Sequence, residues 1–358
     1  MYRLQIQKLA LEIEEHYSDY DRCIALLQQA IQIADKHNDL DWGVDLRSYL
    51  IRKESATSMC IHSPAAFAWI LNVCDEYPEE FSDAEFLGLY EWMLGAVNCN
   101  TNIPLEHTHT VALDLERRLE KNGMSKRGLY FCLAEFAQNR GDVAKGCEYI
   151  DLAKLEPKED DEDEVVEYDY SVERASIIGD FDEAIYLANQ MELKKLSAFS
   201  LPFESYCAMA YFMARKGDSR ASIYLEKAKE AFYKVEGVNS SMLFSMTRFI
   251  YTLHLLEDEL LYSMFELVVD WQVGAEDFLQ MAFSQHIAAV FLKGGVRELK
   301  ISPKQPYYKQ EGIYDLAVLA AYYYSIAESF STKFDQRNGN NHCCTELKQL
   351  QEENQPKK

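Results

Sequence analysis

Long apolar runs are missing from this chain. No stretch approaches the roughly 18 apolar residues that a membrane helix needs, so a span is not expected. Positive charge is also scarce. Lys and Arg total 36 against 59 Asp and Glu, a net of −23. Without a basic footprint, nucleic acid is excluded as a partner, whereas a basic protein or peptide would be drawn in by long-range attraction. Behind the single charge of Met1-Tyr2-Arg3-Leu4-Gln5 no apolar run follows, and no signal peptide is expected. The nine cysteines are odd in number, scattered and mostly at apolar helical positions. They read as reduced thiols of a soluble cytoplasmic protein, not as a disulfide framework.

Catalytic signatures are missing too. There is no Walker loop, GxGxxG, nucleophile elbow or HExxH. His107-Thr108-His109, beside Glu106 and Asp114, reads as surface histidines at a loop–helix junction, and His342-Cys343-Cys344 lacks the paired spacing of zinc sites. His254 and His286 fall within apolar helices and are expected to be hydrogen-bonded core or interface residues. No catalytic residue, metal or cofactor is expected.

What the chain does have is a repeat. Gly141-Asp142, Gly179-Asp180 and Gly217-Asp218 are each 38 residues from the last. Eleven residues before each glycine stands a tyrosine (Tyr130, Tyr168, Tyr206), and seven before it a small or branched apolar residue (Ala134, Val172, Ala210). A fixed period of this size marks stacked helical hairpins. Glycine permits the sharp turn, and the Asp after it can cap the next helix. Phe181, Ala184, Ile185 and Ala188 form an i, i+3, i+4, i+7 face. In the third repeat Ala221, Leu225 and Ala228 come one residue early, as a short deletion after Gly217 would produce.

The pattern extends outward less regularly. Residues 2–17 and the stripe Tyr20, Cys23, Ile24, Leu27, Ala30, Ile31 form a similar pair, with Ser18 at the glycine position. Helices are expected near 41–58, at 64–76 after a Ser63-Pro64 start, from a Ser82–Glu85 capping box through Leu94, and near 108–122. The six acids Glu159 to Glu164 read as a solvated loop. Further helices are expected near 240–256, 257–272, 275–293 and 313–334, with an irregular connector at 296–312. The expected divisions are 1–126, divergent hairpins; 127–236, clear repeats; 237–334, C-terminal hairpins with a capping helix; and 335–358, a polar disordered tail.

The repeat resembles the tetratricopeptide repeat. One copy offers Tyr130, Leu133-Ala134, Gly141, Ile150, Ala153 and Pro157; the next offers Tyr168, Val172 and Gly179-Asp180-Phe181-Asp182-Glu183-Ala184. The period of 38 exceeds the family's roughly 34, which marks a divergent member. The resemblance implies an all-α, right-handed superhelical solenoid of antiparallel helix hairpins. It also implies that the first helix of each pair lines a concave groove, through positions ten and six residues before the turn glycine. Those positions are Lys8, Phe131, Asp169 and Cys207, then Glu12, Glu135, Glu173 and Tyr211. Chaperone-binding members clamp a C-terminal carboxylate with Lys, Asn and Arg there; three glutamates in one row exclude that clamp. The implied function is non-catalytic binding of a basic or amphipathic protein or peptide, through Lys8, Glu12, Phe131, Glu135, Asp169, Glu173 and Tyr211. A dedicated regulator or inhibitor of one protein, such as a toxin-immunity protein or a peptide-sensing regulator, is the alternative.

Overall fold

The computed structural model describes residues 1–158 and 164–355. Of the acidic run Glu159 to Glu164, only Glu164 lies within the described residues. The chain is all-α and divides into two compact units, 1–129 and 130–358.

The first unit contains α1 (Tyr2–Glu15), α2 (Tyr20–Lys36), α3 (Leu40–Ser55), α4 (Ser63–Glu76), α5 (Leu87–Asn98) and α6 (Leu105–Asn122). Successive helices pack on one another from α1 to α4, and α5 packs on α6. At the Ser18-Asp19 turn, the Asp19 carboxylate accepts the N–H of Arg22 at 3.2 Å and caps α2. Two expected start signals work differently. Ser63 does not cap α4; its hydroxyl and N–H donate to the buried Glu54 carboxylate, which also accepts the N–H of His62. Glu54 is therefore the anion at that helix N-terminus. Ser82 makes no side-chain cap bond, and the chain enters α5 through a 3₁₀ turn, Asp83–Phe86. The Asp83 carboxylate there is taken up by Arg118, Lys121 and Asn122 of α6.

Helix α7 (Arg127–Asn139) leads into the second unit. The helices that follow are α8 (Val143–Leu155), α9 (Glu164–Ile178), α10 (Phe181–Lys194), α11 (Phe203–Arg215), α12 (Ala221–Phe232), α13 (Leu243–Leu255), α14 (Leu260–Val268), α15 (Asp277–Val290), α16 (Leu316–Asn338) and α17 (His342–Asn354). Within this unit α9 packs on α11, α11 on α13 and α13 on α15, while α10, α12, α14 and α16 each pack against the helix before them. The first helices of the hairpins thus make one layer and the second helices another. A continuous core joins them, from Val165 and Ala184 through Tyr206, Met246 and Phe265 to Tyr323.

The turns show why the repeat holds its period. Gly141, Gly179 and Gly217 have φ of +82°, +81° and +71°, where a Cβ would be strained. In each turn the aspartate N–H returns to a carbonyl five residues back: Asp142 to Ala137, Asp180 to Ala175, Asp218 to Met213. Those bonds satisfy carbonyls that a helix end leaves open. The early register of the third repeat arises in the first turn of the helix. The Asp142 and Asp180 carbonyls accept from residues four on, Gly146 and Ala184, whereas the Asp218 carbonyl accepts from Ala221, three on, at 3.1 Å. A 3₁₀-like turn uses fewer residues, so the apolar face arrives one position sooner.

A fourth turn of this kind lies 40 residues after Gly217, at Glu257-Asp258. Glu257 has φ +56°, and the Asp258 N–H reaches the Leu253 carbonyl at 2.8 Å. A glutamate occupies the left-handed position, so a search for glycine passes over it.

Two expectations for the C-terminal third are corrected. The connector at 296–312 is bounded by a short antiparallel ribbon, β1 (Val296–Glu298) with β2 (Ile313–Asp315), in which Arg297 pairs with Tyr314. The segment expected as a polar tail from 335 continues α16 to Asn338 and then forms α17. The Asp335 carboxylate accepts the N–H groups of Cys343 and Cys344 at 2.8 and 2.9 Å, so the cap of α17 comes from α16. Cys343, Leu347 and Leu350, spaced by four and three, are buried. That stripe is too thin to make a helix by itself, and packing on α15 and α16 supplies the rest.

Candidate functional site

The first helices of the second unit surround a cavity of about 500 Å³. Glu135 enters it from α7, Asp169 and Glu173 from α9, Tyr211 and Arg215 from α11, and Arg248 from α13; His286 of α15, Glu346 of α17 and Glu204 of α11 are also among its polar lining. Phe212, Phe244 and Phe278 supply apolar surface.

Four of the seven expected groove residues meet here: Glu135, Asp169, Glu173 and Tyr211. The other three do not. Phe131 is buried and stacks face to face on Tyr170, with centroids 4.2 Å apart and planes within 5°. Its place is in the packing of α7 on α9, and Cys207 is likewise buried. Lys8 and Glu12 belong to the first unit, where Lys8 is exposed and Glu12 pairs with Arg22 at 2.6 Å. The six-before position therefore faces the cavity in the clear repeats, while the ten-before position lies a turn away and supplies packing residues at Phe131 and Cys207.

The expected row of bare glutamates is altered by two arginines. Arg248 Nη1 lies 2.8 Å from Glu173 Oε1, with only 12% of its side chain exposed. Burial opposes the charge of Arg248, but Glu173 and the Tyr211 ring oxygen nearby raise its pKa on balance. Glu135 and Asp169 form no ion pair among the described residues. Ser205 donates to Asp169 at 2.5 Å. Burial first, and the charge of Glu173 second, push both carboxyl groups up to about 7. Glu135 is exposed, but it lies in the wall of the cavity, where surrounding protein withholds part of its bulk water.

A hydrogen-bond chain crosses the other wall. Arg215 Nη1 donates to the Tyr211 hydroxyl at 2.8 Å, and that hydroxyl lies 2.9 Å from His286 Nε2. His286 Nδ1 lies 2.7 Å from the Ala282 carbonyl, which can only accept. The bonding is satisfied by a neutral ring that donates from Nδ1 and accepts from Tyr211 at Nε2. Burial, and then Arg215 and Arg248, hold the His286 pKa down at about 3. Tyr211 is held above its ordinary pKa by burial, and Cys207 is pushed well up for the same reason. Among the described residues, no three His, Cys, Asp or Glu side chains gather as a metal site, and no helix is long and apolar enough to cross a membrane.

Sequence reasoning missed Arg215, Arg248 and Glu346; His286 is the buried, hydrogen-bonded histidine expected from its apolar helix, and only its place in the cavity wall was missed. Arg215 precedes Gly217 by two residues, outside the two positions that the repeat register selects. Arg248 and His286 lie beyond the third glycine, and Glu346 on the segment expected to fray. The fourth turn, at Glu257-Asp258, would have selected Thr247 and Tyr251, so Arg248 falls outside that register as well.

No protein-family model matches the chain, and a comparison with curated proteins gives no match.

Proposed function

We propose that the second unit is a divergent tetratricopeptide-type array that binds a protein or peptide, and that its cavity receives a basic side chain of that partner. The observation that carries this reading is the state of Glu135 and Asp169. Both are carboxyl groups in a concave, partly aromatic site, neither is ion-paired among the described residues, and burial with the charge of Glu173 raises both to about 7. An incoming ammonium or guanidinium would stabilise their ionised forms and stack its stem on Phe244 or Phe278. Arg248 neutralises Glu173, which leaves Glu135 and Asp169 to face the incoming cation. The acidic net charge of −23 would steer a basic partner toward the chain.

The mode is binding, not catalysis, and no cofactor takes part. The nine free cysteines fit a reducing cytoplasm. The reading is tested by affinity purification from the native host with wild-type chain and with Glu135→Lys/Asp169→Lys. The expected result is loss of the captured partners by the variant with its helicity unchanged. Retention of the same partners would overturn the proposal.

A further inference from the structure

In the four turns that hold the repeat, the residue six positions before the turn is Glu135, Glu173, Tyr211 and Tyr251. The first three of these line the cavity. Tyr251 meets α17 directly, and Tyr211 is linked to it through Arg215. Tyr251 Oη donates to Glu353 at 3.1 Å and accepts from Asn354 Nδ2 at 2.8 Å. Arg215, bonded to Tyr211, pairs with Glu346 at 2.5 Å and Glu353 at 2.9 Å. His254 Nε2 lies 2.7 Å from Asn354 Oδ1. One register row thus opens on the cavity at Glu135 and Glu173 and is tied at its far end to a helix of the same chain.

We propose that α17 is an internal ligand of this layer: a detachable helix that occupies the far end of the binding row and must leave before a partner can use the whole of it. Three observations support detachment. The contacts of α17 with α11 and α13 are ion pairs and hydrogen bonds, made by side chains that water can serve when the helix leaves. Its buried apolar set is only Cys343, Leu347 and Leu350. It joins α16 through the polar turn Gly339-Asn340-Asn341, with Gly339 at φ +68° closing α16. That turn also reaches the first clear repeat, where Asn340 Nδ2 donates to the Arg140 carbonyl at 3.0 Å. Because Glu346 is both the partner of Arg215 and a wall of the cavity, departure of α17 would enlarge the cavity and free Arg215 together.

The inference rests on the proposed binding layer for its functional meaning, but detachment is measured without a partner. The first experiment is hydrogen exchange on the intact chain. We expect the amides of α17 to exchange through an opening that leaves α15 and α16 protected. The second uses a fluorescent synthetic peptide of residues 340–355 as the probe. The full-length Glu346→Arg/Glu353→Arg variant, which repels its own α17 from Arg215, should take up the probe. Wild-type chain should do so at least roughly 100-fold more weakly, because a short tether holds its own helix at millimolar effective concentration. Adding Arg215→Glu to that variant should restore closure and expel the probe. Exchange of α17 only together with α15 and α16 would overturn the proposal. So would a folded Glu346→Arg/Glu353→Arg variant that ignores the probe. Failure of a Lys-rich peptide to bind either form would count against the cavity reading and leave the α17 result to be judged by its own two measurements.

Discussion

Arg248 on α13 reaches Glu173 on α9 at 2.8 Å, and this contact neutralises Glu173, whereas Glu135 and Asp169 of the same cavity form no ion pair among the described residues. The charge of Glu173 raises the pKa of both Glu135 and Asp169. Arg248→Met should leave a partly buried carboxylate beside two others. A fully buried pair loses about 3–5 kcal/mol on such a change; with 27% of the Glu173 side chain exposed, about 2 kcal/mol is the expected loss in urea denaturation. Adding Glu173→Gln should recover most of it. If the single change is neutral, the pair does not hold α9 to α13.

Glu135 and Asp169 give the stability a definite pH dependence. Their folded pKa values, about 7, lie above the ordinary carboxylate range, which is near 4. Between those limits the folded chain holds protons that the unfolded chain has released, so these two groups lower stability as pH rises from about 4 to 7. Glu135→Gln/Asp169→Asn should flatten that part of the profile in chemical denaturation. Affinity for a Lys-rich peptide should move the other way and strengthen as pH passes upward through 7, since the cation binds the ionised carboxylates. A peptide affinity independent of pH between 6 and 8 would count against these two residues as its receptors.

Glu257 and Gly179 offer a matched test of the turn. Glu257 holds a left-handed conformation that glycine adopts freely, so Glu257→Gly should stabilise the chain by about 0.5–1 kcal/mol. At Gly179, with φ +81°, an added Cβ meets nothing within 4 Å. Gly179→Ala should therefore cost only the conformational penalty, about 1–2 kcal/mol. Thermal melts of the two variants should shift in opposite directions.

Tyr211→Phe should remove the donor from His286 Nε2 and leave that nitrogen unpaired in a buried place. An unsatisfied buried acceptor costs about 1–3 kcal/mol, and the loss should appear in urea denaturation. Adding His286→Phe, which removes the orphaned nitrogen, should soften it.

The sequence alone determined the helical hairpins and their period. Both depend on local requirements: a residue that tolerates positive φ, an aspartate to cap, and apolar residues at helical spacing. Glu135, Asp169, Glu173 and Tyr211 could be placed on one layer for the same reason, since counting back from a turn glycine fixes a helical face. The tertiary structure decided what meets that face. Arg248 and Arg215 come from other hairpins, and their approach to Glu173 and Glu346 depends on packing between elements far apart in the chain. Helix α17 is the clearest case. Its apolar residues are too few for a helix to stand alone, and its cap is the side chain of Asp335 on α16. Its polar face is matched by Arg215, Tyr251 and His254 on layers folded earlier in the chain. A segment whose partners are all supplied by other helices reads as a polar tail until those helices are in place.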